Sequence, residues 1–202
     1  MVAIVPPMTR RKDGPRRIAG LVPVSALAQV AGLLLLIAAP AQAGEDRASR
    51  TIQATAAAVT VIDGDTIALG ARTFHLAGVD APEPGQVCTV KGRSYDCGMV
   101  SRTALMDLTA GAAVTCTPLD EAGTSADPVT EGRPARCLAD GYDLAEGMAY
   151  TGWALADRAT TTRYVRLEND ARKAGRGLWR GRFVAPWRWR AGARIDPAGT
   201  VQ

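Results

Sequence analysis

Three carboxylates and one histidine fall within nineteen residues of this chain: Asp65, His75, Asp80 and Glu83. Asp65 belongs to Val61-Ile62-Asp63-Gly64-Asp65-Thr66. The others belong to His75-Leu76-Ala77-Gly78-Val79-Asp80-Ala81-Pro82-Glu83-Pro84, one hairpin further on. Carboxylates gathered at strand ends repel one another unless a proton or a hard cation holds them together. The spacing therefore reads as a metal site, or else as two acidic turns with no joint task.

The elements that would carry these groups are short strands. Residues 57–62 and 66–69 flank the turn Asp63-Gly64-Asp65, and 72–79 alternates as a third strand. Pro82 and Pro84 end that meander, because proline cannot donate to a ladder. Residues 98–110 read as a helix stopped by Gly111, and 112–118 and 135–139 as the fourth and fifth strands, separated by an acidic loop at 120–134. Asp143 to Glu146 has capping-box spacing and opens a second helix that Gly152 closes. A third helix covers 162–174, with Glu168 and Arg172 in the favourable i,i+4 order. The class is α+β: a five-stranded OB-type barrel with about three helices. Trp153, Trp179, Trp187 and Trp189 read as packing residues rather than base-stacking platforms.

The front of the chain reads as an address. Arg10, Arg11, Lys12, Arg16 and Arg17 precede an uncharged stretch from Ile18 to Gly44 with an apolar core at 30–39, and Ala41-Gln42-Ala43 offers small residues for cleavage. This is the pattern of a secretory signal at 1–43, cut after Ala43, and it implies a secreted or periplasmic protein. The apolar run is short for a retained membrane span, so no stable membrane association is expected after cleavage. A linker at 44–55, one domain at 56–190 and a flexible tail at 191–202 complete the division. A monomer is expected.

Removal of the signal takes away five bases and one acid and leaves nineteen of each, so the net charge of +4 gives no argument for a polyanionic partner. Charge within the domain is uneven: residues 171–194 hold eight bases and no acid. Such a stretch either attracts phosphates or is a solvated surface. Cys88, Cys97, Cys116 and Cys137 all lie in the exported part and read as two disulfides. Of three connectivities, Cys88–Cys97 with Cys116–Cys137 closes the shortest loops; a zinc site is the alternative.

Taken in order, Val61 to Thr66, Val79 to Glu83 and Gly177-Leu178-Trp179 resemble the signatures of the staphylococcal-nuclease-like (thermonuclease) family. The resemblance continues through Cys116, Gly132-Arg133 and the helix near Leu144, over roughly residues 56–190. It implies the same barrel and a calcium-dependent hydrolysis of DNA or RNA phosphodiesters. Asp65 and Asp80, with the backbone carbonyl of Ala81, would hold Ca2+, and Glu83 would orient or deprotonate the attacking water. Asp63 and Thr66 would shape the turn.

The family also grips the phosphate with two arginines, and here the chain departs. His75 stands where the first belongs; it lacks the bidentate fork and is mostly neutral at pH 7 at its reference pKa near 6.5. Gly132-Arg133 fits the second, but one residue too close to Cys137, so Arg136 is a competitor and Arg133 the preferred reading. Aromatics expected around Asp157 and Thr160 are missing, and Tyr164 is the nearest substitute. These departures imply a nuclease of reduced activity. The alternative is an impaired OB-fold module that binds nucleic acid or another anion without turnover.

Overall fold

The computed structural model describes residues 51–119 and 132–195. The expected signal segment, the start of the linker, most of the acidic loop and the end of the tail lie outside these residues. In chain order the strands are β1 (Ile52–Ala54), β2 (Val59–Val61), β3 (Thr66–Leu69), β4 (Arg72–Leu76), β5 (Val79–Asp80), β6 (Val87–Val90), β7 (Arg93–Asp96), β8 (Val114–Pro118), β9 (Arg133–Ala139), β10 (Tyr142–Asp143) and β11 (Leu155–Ala156). The helices are α1 (Cys97–Thr109), α2 (Leu144–Thr151), α3 (Val165–Lys173) and the short α4 (Pro186–Arg190), with a 3₁₀ turn at Gly177–Arg180.

Alternation builds the main sheet. Val114, Cys116 and Pro118 of β8 point inward between Thr115 and Thr117, and Ala135, Cys137 and Ala139 of β9 between exposed or half-buried neighbours. A period of two gives each strand one wet and one dry face. Seven strands curl into a nearly closed barrel in the order β1-β8-β9-β4-β3-β2, with β10 beside β9. Neighbours run antiparallel except β4 and β9, which are parallel. Ile67, Phe74 and Leu76 of the barrel meet Leu105 of α1 and Leu144 and Met148 of α2 in one buried core.

The mixed α and β class holds, and the three expected helices are present. Asp143 caps α2 by accepting the Glu146 N–H at 3.3 Å, and Gly152 ends it at φ 77°. The main sheet has seven strands rather than the five expected, because Ile52–Ala54, expected in the linker, pairs with Val114–Cys116 as an edge and Tyr142–Asp143 pairs with Leu138–Ala139. The β6–β7 hairpin, the β5–β11 pair and α4 were also not expected. Runs of two to five residues are too short to show a period.

Two disulfides join Cys88 to Cys97 and Cys116 to Cys137. The second links directly opposed residues of β8 and β9. The first staples the β6–β7 hairpin to the start of α1. Two glycines fix what surrounds it. A Cβ on Gly98 would come 1.9 Å from the Glu83 carbonyl oxygen, and one on Gly181 would come 1.9 Å from that of Thr89. Only glycine lets α1 approach the Glu83 turn and the C-terminal segment approach β6 so closely.

Candidate active site

Asp65 is placed by the turn that joins β2 to β3. Asp63 Oδ1 accepts the Asp65 N–H at 3.1 Å, and the Ile62 N–H donates to the Thr66 carbonyl at 2.9 Å. The Asp65 carboxylate is buried. Its Oδ2 accepts the Ala81 N–H at 2.6 Å, and its Oδ1 accepts the Thr66 hydroxyl at 3.1 Å and lies 3.3 Å from His75 Nδ1. One carboxylate thus ties the first acidic turn to the second. Asp80 sits in β5, opposite Leu155, and is also buried. Glu83 follows in a turn that Gln86 closes, its N–H donating to Gln86 Oε1 at 3.1 Å. All three carboxylates line one cleft of about 600 Å³, together with Asp63, His75 and Asp157.

Crowding of like charges shows in the titration. Burial pushes the Asp63 carboxyl up to about 6, and the charge of Asp65 adds to it. Burial pushes Asp65 up as well, but the hydrogen bond and charge of His75 and the Ala81 N–H outweigh it and hold Asp65 below the ordinary carboxylate value. For His75, burial favours the neutral ring, yet Asp65, with added charge from Asp63 and Asp80, outweighs burial and raises the pKa above 6.5. The histidine is therefore more cationic than its reference value implied.

The cleft contains a residue that sequence reasoning did not select. Arg190, at the end of α4, reaches Asp80 end-on, Nη1 to Oδ1 at 2.9 Å and Nη2 to Oδ2 at 2.7 Å. Its Nη1 also donates to Glu83 Oε1. The side chain is half exposed, and Asp80, then Glu83, hold it in the charged form. The only signal for it was the acid-free basic stretch 171–194.

Neither expected second arginine lies in the cleft lining. In a parallel ladder, paired residues share a face. Arg133 pairs with buried Phe74, whereas His75 pairs with Pro134, and Pro134 lines the cleft. The spacing to Cys137, one residue short, flips the face that Arg133 occupies, because side chains alternate with a period of two. Arg136 shares the face of Pro134 but pairs with Asp143 at 3.0 Å. Tyr164 is buried and donates to the same Asp143 at 3.2 Å; burial, then the charge of Asp143, pushes its hydroxyl up to about 12. It packs the fold and does not line the cleft. Trp153 and Trp179 pack as expected, the latter edge-on to Phe183 at 4.9 Å, but Trp187 stands 47% exposed.

The donor chemistry suits a hard cation. Asp65, Asp80 and Glu83 offer oxygen alone, and each carboxylate has about four lone-pair positions. Asp65 has three of these engaged, by Ala81, Thr66 and His75; Asp80 has two and Glu83 one, all by Arg190. A guanidinium already bound by two of them shows that the cleft stabilises positive charge. Among the described residues, no set of three or more His, Cys, Asp or Glu side chains is drawn together as a closed metal cluster.

No protein-family model matches the chain. Over 125 residues it is 36% identical to the succinoglycan biosynthesis protein ExoI of Rhizobium meliloti (strain 1021), a stretch covering 60% of this chain and 62% of that protein. The chain thus matches less than two thirds of the length of that relative.

Proposed function

We propose that this chain is an exported, calcium-dependent nuclease of the staphylococcal-nuclease-like type, built on an OB-fold barrel and hydrolysing phosphodiester bonds of DNA or RNA. The observation that carries the proposal is the meeting of Asp65, Asp80, Glu83 and Arg190 in one cleft. Asp65 and Asp80, with the Ala81 carbonyl, are the candidates to hold calcium. Bound there, the ion would supply neutralising charge for a phosphate oxygen and orientation for a water molecule.

Glu83 is the candidate general base. In the proposed reaction the water oxygen bonds to phosphorus, one P–O ester bond breaks, the water proton passes to Glu83, and the leaving oxygen takes a proton from solvent. His75 supplies a partial positive charge beside Asp65 and keeps that carboxylate ionised. The two disulfides support an exported protein, since such bonds persist in oxidising compartments.

A zymogram tests the reading directly. Clearing of DNA with calcium and none with chelator is expected; clearing that ignores both overturns the metal assignment. A second reading is a binding module without turnover, favoured by the way Arg190 occupies Asp80 and Glu83. It predicts retention of single-stranded DNA with no cleavage in calcium. The name of the relative adds succinoglycan as a third substrate to include in the same gel.

A further inference from the structure

The cleft has an electrostatic problem that α4 addresses. A phosphodiester is an anion, and it must enter beside Asp63, Asp65, Asp80, Glu83 and Asp157. Arg190 is the one guanidinium among the described residues that line this cleft. Its bonds to the carboxylates use a particular part of the group. The end-on pair of N–H bonds goes to Asp80, and the outer N–H of Nη1 goes to Glu83. The Nε–H and the second N–H of Nη2 have no partner among the described residues. These two form the side-on edge of the planar group, parallel and adjacent, the shape that matches two oxygens of one phosphate. Asp80 and Glu83 thus fix the plane of Arg190 without using that edge.

Trp187 lies three residues earlier on the same helix, a spacing that puts both side chains on one face. It lines a neighbouring groove of about 400 Å³ that shares Asp80, Asp157 and Arg190 with the main cleft. Its ring is 47% exposed and makes no ring or cation–π contact among the described residues, unlike Trp153, Trp179 and Trp189. The approach to α4 is anchored. Thr89 and Arg182 exchange backbone hydrogen bonds at 2.9 and 2.8 Å, and buried Gln86 donates to the Val184 carbonyl at 2.7 Å.

We propose that α4 is the substrate-recognition element of this cleft: the free edge of Arg190 takes a phosphate and Trp187 stacks an adjacent base. The substrate is then single-stranded, since a base paired in a duplex cannot turn its face to a side chain. This rests on the nuclease reading and adds which residues do the recognising and which form of nucleic acid they take.

Binding of a fluorescein-labelled phosphorothioate octathymidylate, which resists cleavage, tests it by anisotropy in the full exported protein with calcium across a salt series. Arg190→Gln should lower affinity and reduce the slope of log affinity against log salt by about 0.7, one phosphate contact on a single strand. Arg190→Lys should keep the slope but lose turnover on ordinary DNA, because a lysine has charge and no fork. Trp187→Ala should weaken binding on the order of tenfold with the slope unchanged, and Trp187→Phe should restore it. Unchanged slope and affinity in Arg190→Gln would make Arg190 a strut for the carboxylates; the proposal falls and the nuclease reading stands. If Trp187→Ala leaves single-strand affinity unchanged, the stacking half falls. Failure of the unmutated protein to bind the probe at all overturns both.

Discussion

The two walls of the cleft are assembled in different ways. Apart from Asp157, the acidic wall comes from residues 63–83, a single meander in which one carboxylate, Asp65, is hydrogen-bonded to the turn that carries the next. The basic wall is Arg190, 110 residues beyond Asp80 and 107 beyond Glu83. It arrives on a five-residue helix anchored by one backbone bridge, one buried glutamine and one close-packed glycine. Local sequence builds the first wall; tertiary packing alone builds the second. The acidic wall should therefore be robust to distant substitutions, whereas the basic wall depends on contacts with the β6–β7 hairpin.

Chemistry on the acidic wall gives the largest expected effect. Glu83→Gln keeps an acceptor for Arg190 but cannot take a proton, and should lower calcium-dependent cleavage of single-stranded DNA by about 10²–10⁴-fold at an unchanged melting temperature. Wild-type rates in that variant would remove Glu83 from the reaction. The disulfides divide the walls next. Cys88→Ser with Cys97→Ser should cost on the order of 2–4 kcal/mol and also weaken single-strand binding, because the hairpin holds both the Glu83 turn and the Arg182 segment. Cys116→Ser with Cys137→Ser should cost a similar amount of stability with binding per folded molecule unchanged. Equal binding losses in the two double variants would show that the β6–β7 hairpin has no special hold on the cleft.

A smaller gain is expected from a second fork. His75→Arg places a second permanent guanidinium charge in the cleft that Arg190 lines and should raise turnover roughly tenfold, read as kcat at saturating DNA. No rise would mean that the guanidinium of Arg190 suffices. The smallest effect is on stability in calcium-free buffer. His75 has a folded pKa above 6.5, so its contribution is fully present below that value and is lost as pH rises through the folded pKa. The difference in melting temperature between the unmutated protein and His75→Gln should shrink from pH 6 to pH 8. A difference that grows over this range reverses the sign and breaks the Asp65–His75 pairing.

Legibility followed the same division. The three helices and the main barrel strands were readable because periods of two and 3.6 persist over enough residues to show. The pairs Cys88–Cys97 and Cys116–Cys137 were readable because each closes a short segment. Ile52–Ala54 was not, because an edge strand of three residues shows no pattern until its partner, Val114–Cys116, is known. Arg133 illustrates a subtler limit. The motif put an arginine next to a glycine, but the face it occupies depends on register with Phe74, and one missing residue reverses that face. Arg190 carried no motif at all. Its role emerges only where Gly181 lets the chain pass over Thr89.

The Cys88–Cys97 bridge has a consequence for when the protein works as well as where. Its hairpin supports both walls: Gln86 accepts from the Cys97 N–H and closes the Glu83 turn, while Thr89 holds the segment that leads to Arg190. In a reducing cytosol this bond does not persist, so a newly made chain would hold the Arg182 segment, and with it Arg190, less firmly. Under the proposed nuclease reading, the cell's own transcripts and chromosome must be shielded during synthesis. With export as proposed, that protection would need no inhibitor: oxidation outside the cytosol would tighten the segment that carries Arg190.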